Sequence, residues 1–189
     1  MMKRTLDVVA CALLMLLCWP FLILIFVAIR LQSPGSPVFA QTRVGKGEIP
    51  FTCYKFRTMQ TGTANVPTHQ VDASSITSIG HFLRKFKLDE LPQLYNVLVG
   101  DMSLVGPRPG LPSQIELVEA RRKLGVFNVR PGVTGLAQVR GVDMSDPVRL
   151  AEVDAQYIKA QGLSLDLYLI LSTLAGKGVG IDRVVVERK

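Results

Sequence analysis

The sequence has few of the side chains that build disulfide frameworks or zinc centres. Its three cysteines, Cys11, Cys18 and Cys53, are an odd number without CxxC spacing, and two of them lie in an apolar segment. The two histidines, His69 and His81, have no carboxylate in register with them. We therefore expect neither a disulfide framework nor a zinc site.

Aromatic residues are also scarce, at 7% of the 189 residues, and no RNP pattern or zinc finger occurs. The composition therefore gives no indication of nucleic-acid binding, although a formal net charge of +7 indicates an acidic partner. Anionic lipid and phosphorylated substrates remain as candidate partners, and we expect no nucleic acid. By its length the chain is one domain with a hydrophobic core.

A long uncharged run covers residues 8–29 and is sufficient to cross a hydrocarbon core of about 30 Å. A signal peptide is the competing interpretation, because Lys3 and Arg4 precede the run and residues 38–40 (VFA) loosely resemble a cleavage site. However, the run is longer than the apolar part of a signal peptide, and Arg30 interrupts the approach to that site. We therefore expect a membrane segment that is retained.

Two membrane arrangements of this segment fit the sequence. Pro20 lies near its middle, where a proline removes a helix hydrogen bond and bends the chain. Cations flank both ends, with Lys3 and Arg4 before the segment and Arg30 after it. Because positive residues mark the cytoplasmic side, this pattern suits a helix that enters and leaves on one face. The alternative is a bent helix that spans the bilayer, because the C-terminal side carries more charge.

Residues 87–110, KLDELPQLYNVLVGDMSLVGPRPG, begin with an acidic pair. Proline is tolerated in the first turn of a helix, so Pro92 predicts a helix that begins at or beside Asp89 and Glu90 and ends at Gly100. Asp89 is then either a plain N-cap or an ionised carboxylate that faces a phosphate at the helix start. The second interpretation makes Asp89 a candidate nucleophile.

The same stretch ends with Arg108 between Pro107 and Pro109. Each proline fixes its own φ and makes the preceding residue extended, so the arginine has a stiff backbone. A guanidinium held in this way loses little entropy when it binds a phosphate in bidentate fashion. The alternative is a surface turn that contains an arginine.

A β-hairpin is predicted from residues 37–44 and 51–59, which are joined by the glycine-rich turn 45–48. Period two places Lys55 and Arg57 on one face of the second strand. This two-cation edge either faces a diphosphate or is a solvated strand face.

A polar loop is predicted over residues 61–78, followed by a short basic helix over residues 79–86. Arg84 of this helix and the nearby Lys87 precede the acidic pair. Their charges would hold Asp89 ionised and attract a phosphorylated substrate.

In the C-terminal third, residues 130–132 (RPG) predict a turn into residues 133–140, where Gln138 and Arg140 alternate onto one side. That side is a candidate nucleotide contact. Ser113 with Glu116 matches a capping box for a further helix.

Two more helices are expected near the C-terminus. Asp146 and Pro147 begin the first, and Ser164 caps the second, which covers residues 165–175 and is nearly all apolar. The second helix is too short to span a membrane, so it lies either in the membrane interface or in the core.

Three segments in this order resemble the monotopic bacterial sugar transferases, which are small membrane phosphoglycosyl transferases. The segments are residues 87–109, YKFRTM at residues 54–59, and RPGVTGLAQV at residues 130–139. The resemblance runs from about residue 3 to residue 175. Members of that family start surface glycan assembly by moving a sugar phosphate from a UDP-sugar to undecaprenyl phosphate.

The resemblance implies a covalent mechanism. Asp89 would attack the β-phosphorus, UMP would leave, and the acceptor phosphate would displace the sugar phosphate from the aspartate. Glu90 would be the base or would bind Mg²⁺ together with Asp89, and the ion would neutralise the diphosphate. Four cations would share the phosphate charge: Lys55, Arg57, Arg84 and Arg108.

The resulting fold is α+β and mostly helical. Residues 1–33 would form a re-entrant membrane helix kinked at Pro20. Residues 34–189 would form a catalytic domain on the cytoplasmic face of the bacterial inner membrane, with a small β-hairpin and amphipathic interfacial helices around the active site. The partners would be a UDP-sugar, undecaprenyl phosphate and the lipid bilayer.

Two other functions compete with the transferase. A membrane-anchored protein would bind an acidic lipid or glycan through the same cations without chemistry, and it would keep its function in Asp89→Asn. A hydrolase would use Asp89 and Glu90 as an acid/base pair. Adjacent residues at a helix start point about 100° apart, which suits two carboxylates flanking one bond poorly.

Overall fold

The computed structural model describes residues 2–63 and 75–176, which are mostly helical with two small sheets. The α+β prediction is confirmed. The helices of the described ranges are α1 Met2–Gln32, α2 Ser78–Lys85, α3 Gln93–Val99, α4 Ile115–Lys123, α5 Leu136–Val139, α6 Pro147–Ala160 and α7 Leu163–Leu174. The strands are β1 Val38–Val44, β2 Pro50–Phe56, β3 Ser103–Val105 and β4 Gly132–Thr134. Most of the predicted polar loop, residues 64–74, lies outside the described residues.

Helix α1 lies along the protein and does not project from it. Its buried residues are Asp7, Cys11, Ile25 and Ile29, which follow helical spacing along one stripe. Most of its other apolar side chains are exposed. Within the described residues α1 alone is long and apolar enough to cross a membrane, with a mean hydropathy of 2.9, and it continues as a helix through Pro20.

Polar contacts tie both ends of α1 to the same domain. Near the N-terminus, Lys3 Nζ lies 2.6 Å from Asp166 Oδ2 on α7. Near the C-terminal end, the side-chain oxygen of Gln32 accepts a hydrogen bond of 3.2 Å from the backbone N–H of Ile79 on α2. Both ends of α1 therefore contact helices of the same part of the protein.

Strands β1 and β2 form the predicted antiparallel hairpin, with Val38 opposite Phe56 and Val44 opposite Pro50. Strands β3 and β4 form a parallel pair. One hydrophobic cluster joins β3 to helices α4–α7. Burial of each of its large apolar side chains stabilises the fold by about 1.5–3 kcal/mol. Its largest buried side chains include Leu117, Leu136, Leu150, Tyr157 and Leu169.

The prediction for residues 133–140 was wrong in its secondary structure. Strand β4 ends at Thr134, and α5 begins directly after Gly135, so Gln138 and Arg140 do not alternate along a strand. The parallel pairing with the short strand β3 ends at Thr134, which leaves the following backbone groups to form a helical turn.

Two predicted helix caps were also wrong. Gln114, rather than Ser113, occupies the N-cap of α4, and its side chain accepts a hydrogen bond from the Leu111 N–H at 2.8 Å. Helix α7 begins at Leu163, so Ser164 lies within its first turn. The predicted start of α6 is confirmed, and Asp146 caps the helix by accepting a hydrogen bond from the Arg149 N–H.

Helix α7 has one buried and one exposed apolar face, so the interpretation as a core helix is confirmed for one face and the membrane interface remains a prediction. It buries Leu165 and Leu169 in the core, and it exposes Leu167, Leu171 and Leu174 on its outer side. One face is therefore a core face, and an apolar face remains exposed.

Candidate active site

The acidic pair lies in a separate 3-10 turn, Leu88–Glu90, directly before α3. Lys87 precedes the turn in the left-handed region, with φ 57° and ψ 20°, and so reverses the chain after α2. Pro92 occupies the N-cap position of α3, and no side chain caps that helix. The helix start beside the pair is confirmed, whereas the interpretation of Asp89 as a plain N-cap was wrong.

Glu90 binds two of the predicted cations. Lys55 Nζ donates to Glu90 Oε1 at 2.8 Å, and Arg108 Nη2 donates to the same oxygen. Burial disfavours the charged form of Glu90, but the charges and hydrogen bonds of Arg108 and Lys55 outweigh burial and hold its pKa well below the usual range. A carboxylate this acidic is a poor general base, so the geometry favours a positioning or metal-binding role for Glu90.

Asp89 is in the opposite situation. Across residues 2–63 and 75–176, no side chain or backbone group forms a hydrogen bond or ion pair with its half-buried carboxylate. Burial and the neighbouring charge of Glu90 raise its pKa, while the charges of Lys55, Arg108 and Arg84 oppose that rise. A carboxylate that no described residue binds, beside several cations, is available to act as a nucleophile in its ionised form.

Arg108 is held as its flanking prolines predict. The backbone N–H of Gly106 donates to the Thr134 carbonyl at 2.9 Å, and the Pro107 carbonyl accepts from the Gly132 N–H at 2.9 Å. Strand β4 therefore anchors the segment that carries the arginine. The Arg108 side chain remains 35% exposed, which leaves room for a substrate to reach its guanidinium.

Arg84 lies on α2, which leads into the acidic pair. Its Nε donates to Thr58 Oγ1 at 2.9 Å, and its charge opposes the rise of the Asp89 pKa without cancelling it. The role of Arg84 in binding a substrate phosphate remains a prediction.

Arg57 differs from Lys55 in its partners. Its guanidinium donates to the carbonyls of Pro34 at 2.7 Å and Ser33 at 2.9 Å, in the connection between α1 and β1. Strand β2 ends at Phe56, and the Arg57 guanidinium binds the chain directly after α1, whereas Lys55 binds Glu90. In this structure the predicted edge does not form, and Arg57 closes the end of α1 instead.

Gln138 lies on α5 and donates through Nε2 to the Val133 carbonyl at 2.8 Å. Its Oε1 is buried and has no hydrogen-bond partner among the described residues. The role of Gln138 as a nucleotide contact remains a prediction.

The sequence interpretation missed Arg43 and Gln41 on β1. Arg43 Nη1 donates to the Pro109 carbonyl at 3.1 Å, and its Nη2 donates to Gln41 Oε1. Burial, together with the charge of Arg108, lowers the pKa of Arg43 to about 10. Period two places Arg43 on the same face of β1 as Gln41, and Gln41 lies opposite Cys53, which shares its face of β2 with Lys55. Strand alternation therefore indicates that Arg43 and Lys55 share a face of the hairpin, although it does not predict the contact with Pro109.

A magnesium ion fits this site only together with a substrate. Within the described part of the chain, no group of three or more His, Cys, Asp or Glu residues forms a metal cluster. Mg²⁺ commonly binds through one or two carboxylates and the phosphates of a substrate, so Asp89 and Glu90 have the right chemistry for such an ion.

An apolar helix long enough to cross a membrane, an aspartate that no described residue binds, and several cations beside it are typical of a membrane-associated protein that binds phosphate groups. The chain belongs to the bacterial sugar transferase family, whose sequence model matches residues 1–177. The protein is therefore a transferase, and the alternative of a binding protein without chemistry was wrong.

Several curated relatives cover almost the whole chain. It is 44% identical to the UDP-glucose:undecaprenyl-phosphate glucose-1-phosphate transferase of Caulobacter vibrioides, over 91% of this chain and 68% of the relative. It is 37% identical to the UDP-N-acetylgalactosamine-undecaprenyl-phosphate N-acetylgalactosaminephosphotransferase of Aeromonas hydrophila, over 91% of this chain and 42% of that protein. It is 35% identical to the exopolysaccharide production protein ExoY of Rhizobium meliloti, over 92% and 84%.

Proposed function

We propose that the protein transfers a sugar-1-phosphate from a UDP-sugar to undecaprenyl phosphate and releases UMP. The observation that carries the proposal is the asymmetry of the acidic pair, since two cations bind Glu90 and no described residue binds Asp89. The names of the relatives support the classes of donor and acceptor. The reaction would be the first membrane step of a surface glycan, such as O-antigen, capsule, exopolysaccharide or glycoprotein.

In the first step a carboxylate oxygen of Asp89 attacks the β-phosphorus of the UDP-sugar. The bond from that phosphorus to the bridging oxygen breaks, UMP leaves, and an aspartyl-phosphosugar remains on the enzyme. Arg108 and Lys55 stabilise the charge of the diphosphate and the leaving UMP. Arg84 adds positive charge beside Asp89 and favours its ionised form.

In the second step a phosphate oxygen of undecaprenyl phosphate attacks the same phosphorus. The bond between Asp89 and phosphorus breaks, and the product is undecaprenyl diphosphate-sugar. The attacking phosphate is already ionised, so this step needs no general base, in agreement with the low pKa of Glu90. Two steps allow a soluble donor and a lipid acceptor to use one site in turn.

Mg²⁺ is the proposed cofactor, with Asp89 and Glu90 as the residues that would hold it. When bound, the ion would neutralise diphosphate charge as UMP departs. Chelation of Mg²⁺ should abolish UMP release, and added Mg²⁺ should restore it. Full activity in the presence of a chelator would contradict the assignment of the cofactor.

For the membrane, we propose that residues 1–33 form a re-entrant helix and residues 34–189 a domain on the cytoplasmic face of the bacterial inner membrane. The contacts of Lys3 and Gln32, at opposite ends of α1, with one domain support this arrangement. The exposed leucines of α7 support an interfacial position for that helix. A spanning helix would place its two ends on opposite faces.

Thiol labelling tests this arrangement. In spheroplasts, an impermeant thiol reagent should label neither Thr5→Cys nor Ser36→Cys, and in inverted vesicles it should label both. The protein with its native cysteines alone is the control. Labelling of Thr5→Cys from the outer face would show a spanning helix and contradict the proposal.

UMP release tests the reaction. Purified protein in detergent with Mg²⁺ is given a panel of UDP-sugars, with polyprenyl phosphate added or withheld. The names of the relatives make UDP-glucose and UDP-N-acetylgalactosamine the first donors to test, and rare deoxy sugars complete the panel. We expect acceptor-dependent turnover with one donor and a single stoichiometric burst without acceptor. Folded protein that releases no UMP from any donor would contradict the proposed reaction.

A further inference from the structure

The segment that carries Arg108 is held mainly through its carbonyl groups. Proline has no backbone N–H, so Pro107, Arg108 and Pro109 together offer a single backbone donor. The Pro107 carbonyl accepts from Gly132, on β4. On the other side of Arg108, the Gly110 carbonyl accepts from the backbone N–H of Val44 at 3.0 Å, where β1 ends.

The Pro109 carbonyl, directly after Arg108, is bound by the side chain of Arg43. Arg43 Nη1 donates to this carbonyl at 3.1 Å, and Nη2 donates to Gln41 Oε1 on the same face of β1. Gln41 therefore holds the Arg43 guanidinium in the position from which it binds the Pro109 carbonyl. The hairpin that supplies Lys55 to Glu90 therefore also holds the segment that supplies Arg108 to Glu90.

On electrostatic grounds alone, a positively charged side chain at position 43 is unfavourable. Arg43 lies near the like charge of Arg108, and both burial and that charge disfavour its protonated form. A neutral side chain would avoid this cost. The planar guanidinium, however, can donate to Pro109 and Gln41 at the same time, which an ammonium on a flexible stem does poorly.

We propose that Arg43 is a positioning residue, which fixes the Pro109 carbonyl and thereby directs the Arg108 guanidinium towards Glu90 and the donor diphosphate. This inference rests on the proposed transferase reaction and adds a residue to its machinery. Arg43 acts through Arg108, and its own hydrogen bonds go to Pro109 and Gln41.

A double-mutant cycle of Arg43→Lys and Arg108→Lys tests the inference through UMP release. Arg43→Lys should lower kcat roughly 10- to 100-fold, because small misplacements of a reacting group have effects of that size, and the donor KM should change less than about threefold. In the Arg108→Lys background, the second substitution should change kcat by less than about twofold, since Arg108 is then already misplaced. Effects that multiply would overturn the inference and would indicate that Arg43 contacts the substrate directly.

Arg122→Lys is the matched control, because Arg122 binds Glu48 at the exposed hairpin turn and its substitution should leave kcat unchanged. Melting temperatures establish that each variant is folded. If Arg43→Lys does not fold, Arg43→Met replaces it in the same cycle, because its apolar side chain fills part of the space and donates to neither Pro109 nor Gln41. Wild-type protein without turnover would refute the proposed reaction, whereas a wild type with turnover and multiplying effects would refute only the role of Arg43.

Discussion

Two of the carboxylates that bind arginine, Asp154 and Glu90, lie in different regions of the molecule, and their surroundings differ. Asp154 on α6 accepts hydrogen bonds from Nε and Nη2 of Arg121 on α4, at 3.0 and 2.6 Å, and both side chains are only 3% exposed. Glu90 binds Arg108 and Lys55, and the side chains of Glu90 and Arg108 are 14% and 35% exposed. The first pair is neutral and sealed, whereas the second has an additional cation and is open to solvent.

The same pairing chemistry has opposite effects on the two carboxylates. At Asp154 burial raises the pKa, and the charge of Arg121 only partly offsets that rise. At Glu90 the two cations outweigh burial and lower the pKa. The Arg121–Asp154 pair therefore contributes to packing between α4 and α6. At Glu90 the two cations carry more charge than the carboxylate, and the remaining positive charge is available to a phosphate.

The largest predicted effect is a loss of activity without a loss of stability. Asp89→Asn should lower UMP release at least about 1,000-fold, because the nucleophile is lost. Its melting temperature should stay the same or rise, since Asp89 has no partner among the described residues and the charge of Glu90 disfavours its ionised form. Residual turnover within tenfold of wild type would contradict the covalent mechanism.

The converse effect is expected at the sealed pair. Asp154→Asn should lower the free energy of unfolding by about 3–5 kcal/mol, because it leaves the Arg121 charge buried without a counter-charge. Chemical denaturation in detergent measures this change. At a temperature where the variant is folded, kcat should remain within about twofold of wild type, since Asp154 does not contact the acidic pair.

The contrast between Arg108 and Arg43 shows how much of the site the sequence could reveal. Arg108, Lys55 and the acidic pair follow from local patterns: flanking prolines, strand periodicity and a helix start. The Arg43 contact with Pro109 joins residues 66 positions apart, so it depends on how β1 meets the 107–110 segment. Local sequence patterns do not predict how β1 packs against residues 107–110.

The same limit explains the failures. Arg57 was predicted beside Lys55, but its guanidinium donates to the Pro34 and Ser33 carbonyls after the end of α1. Gln138 and Arg140 were predicted to alternate onto one side of residues 133–140, but residues 136–139 fold as α5, since the partner strand β3 is only three residues long. Tertiary contacts decided both cases.

A smaller predicted effect is the pH dependence of the stability that Glu90 contributes. The folded-state pKa of Glu90 lies below its unfolded value, so its ionised form stabilises the protein above that unfolded value and loses this contribution as pH falls. The stability advantage of wild type over Glu90→Gln should therefore shrink by about 1–2 kcal/mol between pH 5 and pH 3. An advantage that is constant over this range would contradict a lowered Glu90 pKa. Unfolding curves at each pH provide the measurement.

The smallest predicted effect is the most specific test of the comparison. Replacing both members of the sealed pair, Arg121→Met with Asp154→Leu, removes two buried charges together and fills their space with apolar side chains. The free energy of unfolding should remain within about 1 kcal/mol of wild type or increase, because the Coulomb attraction of such a pair does no more than balance the cost of burying it. UMP release should be unchanged. A loss as large as that expected for Asp154→Asn would mean that the Arg121–Asp154 pair contributes more than charge balance. The distinction between a packing pair and a functional cluster would then need another basis.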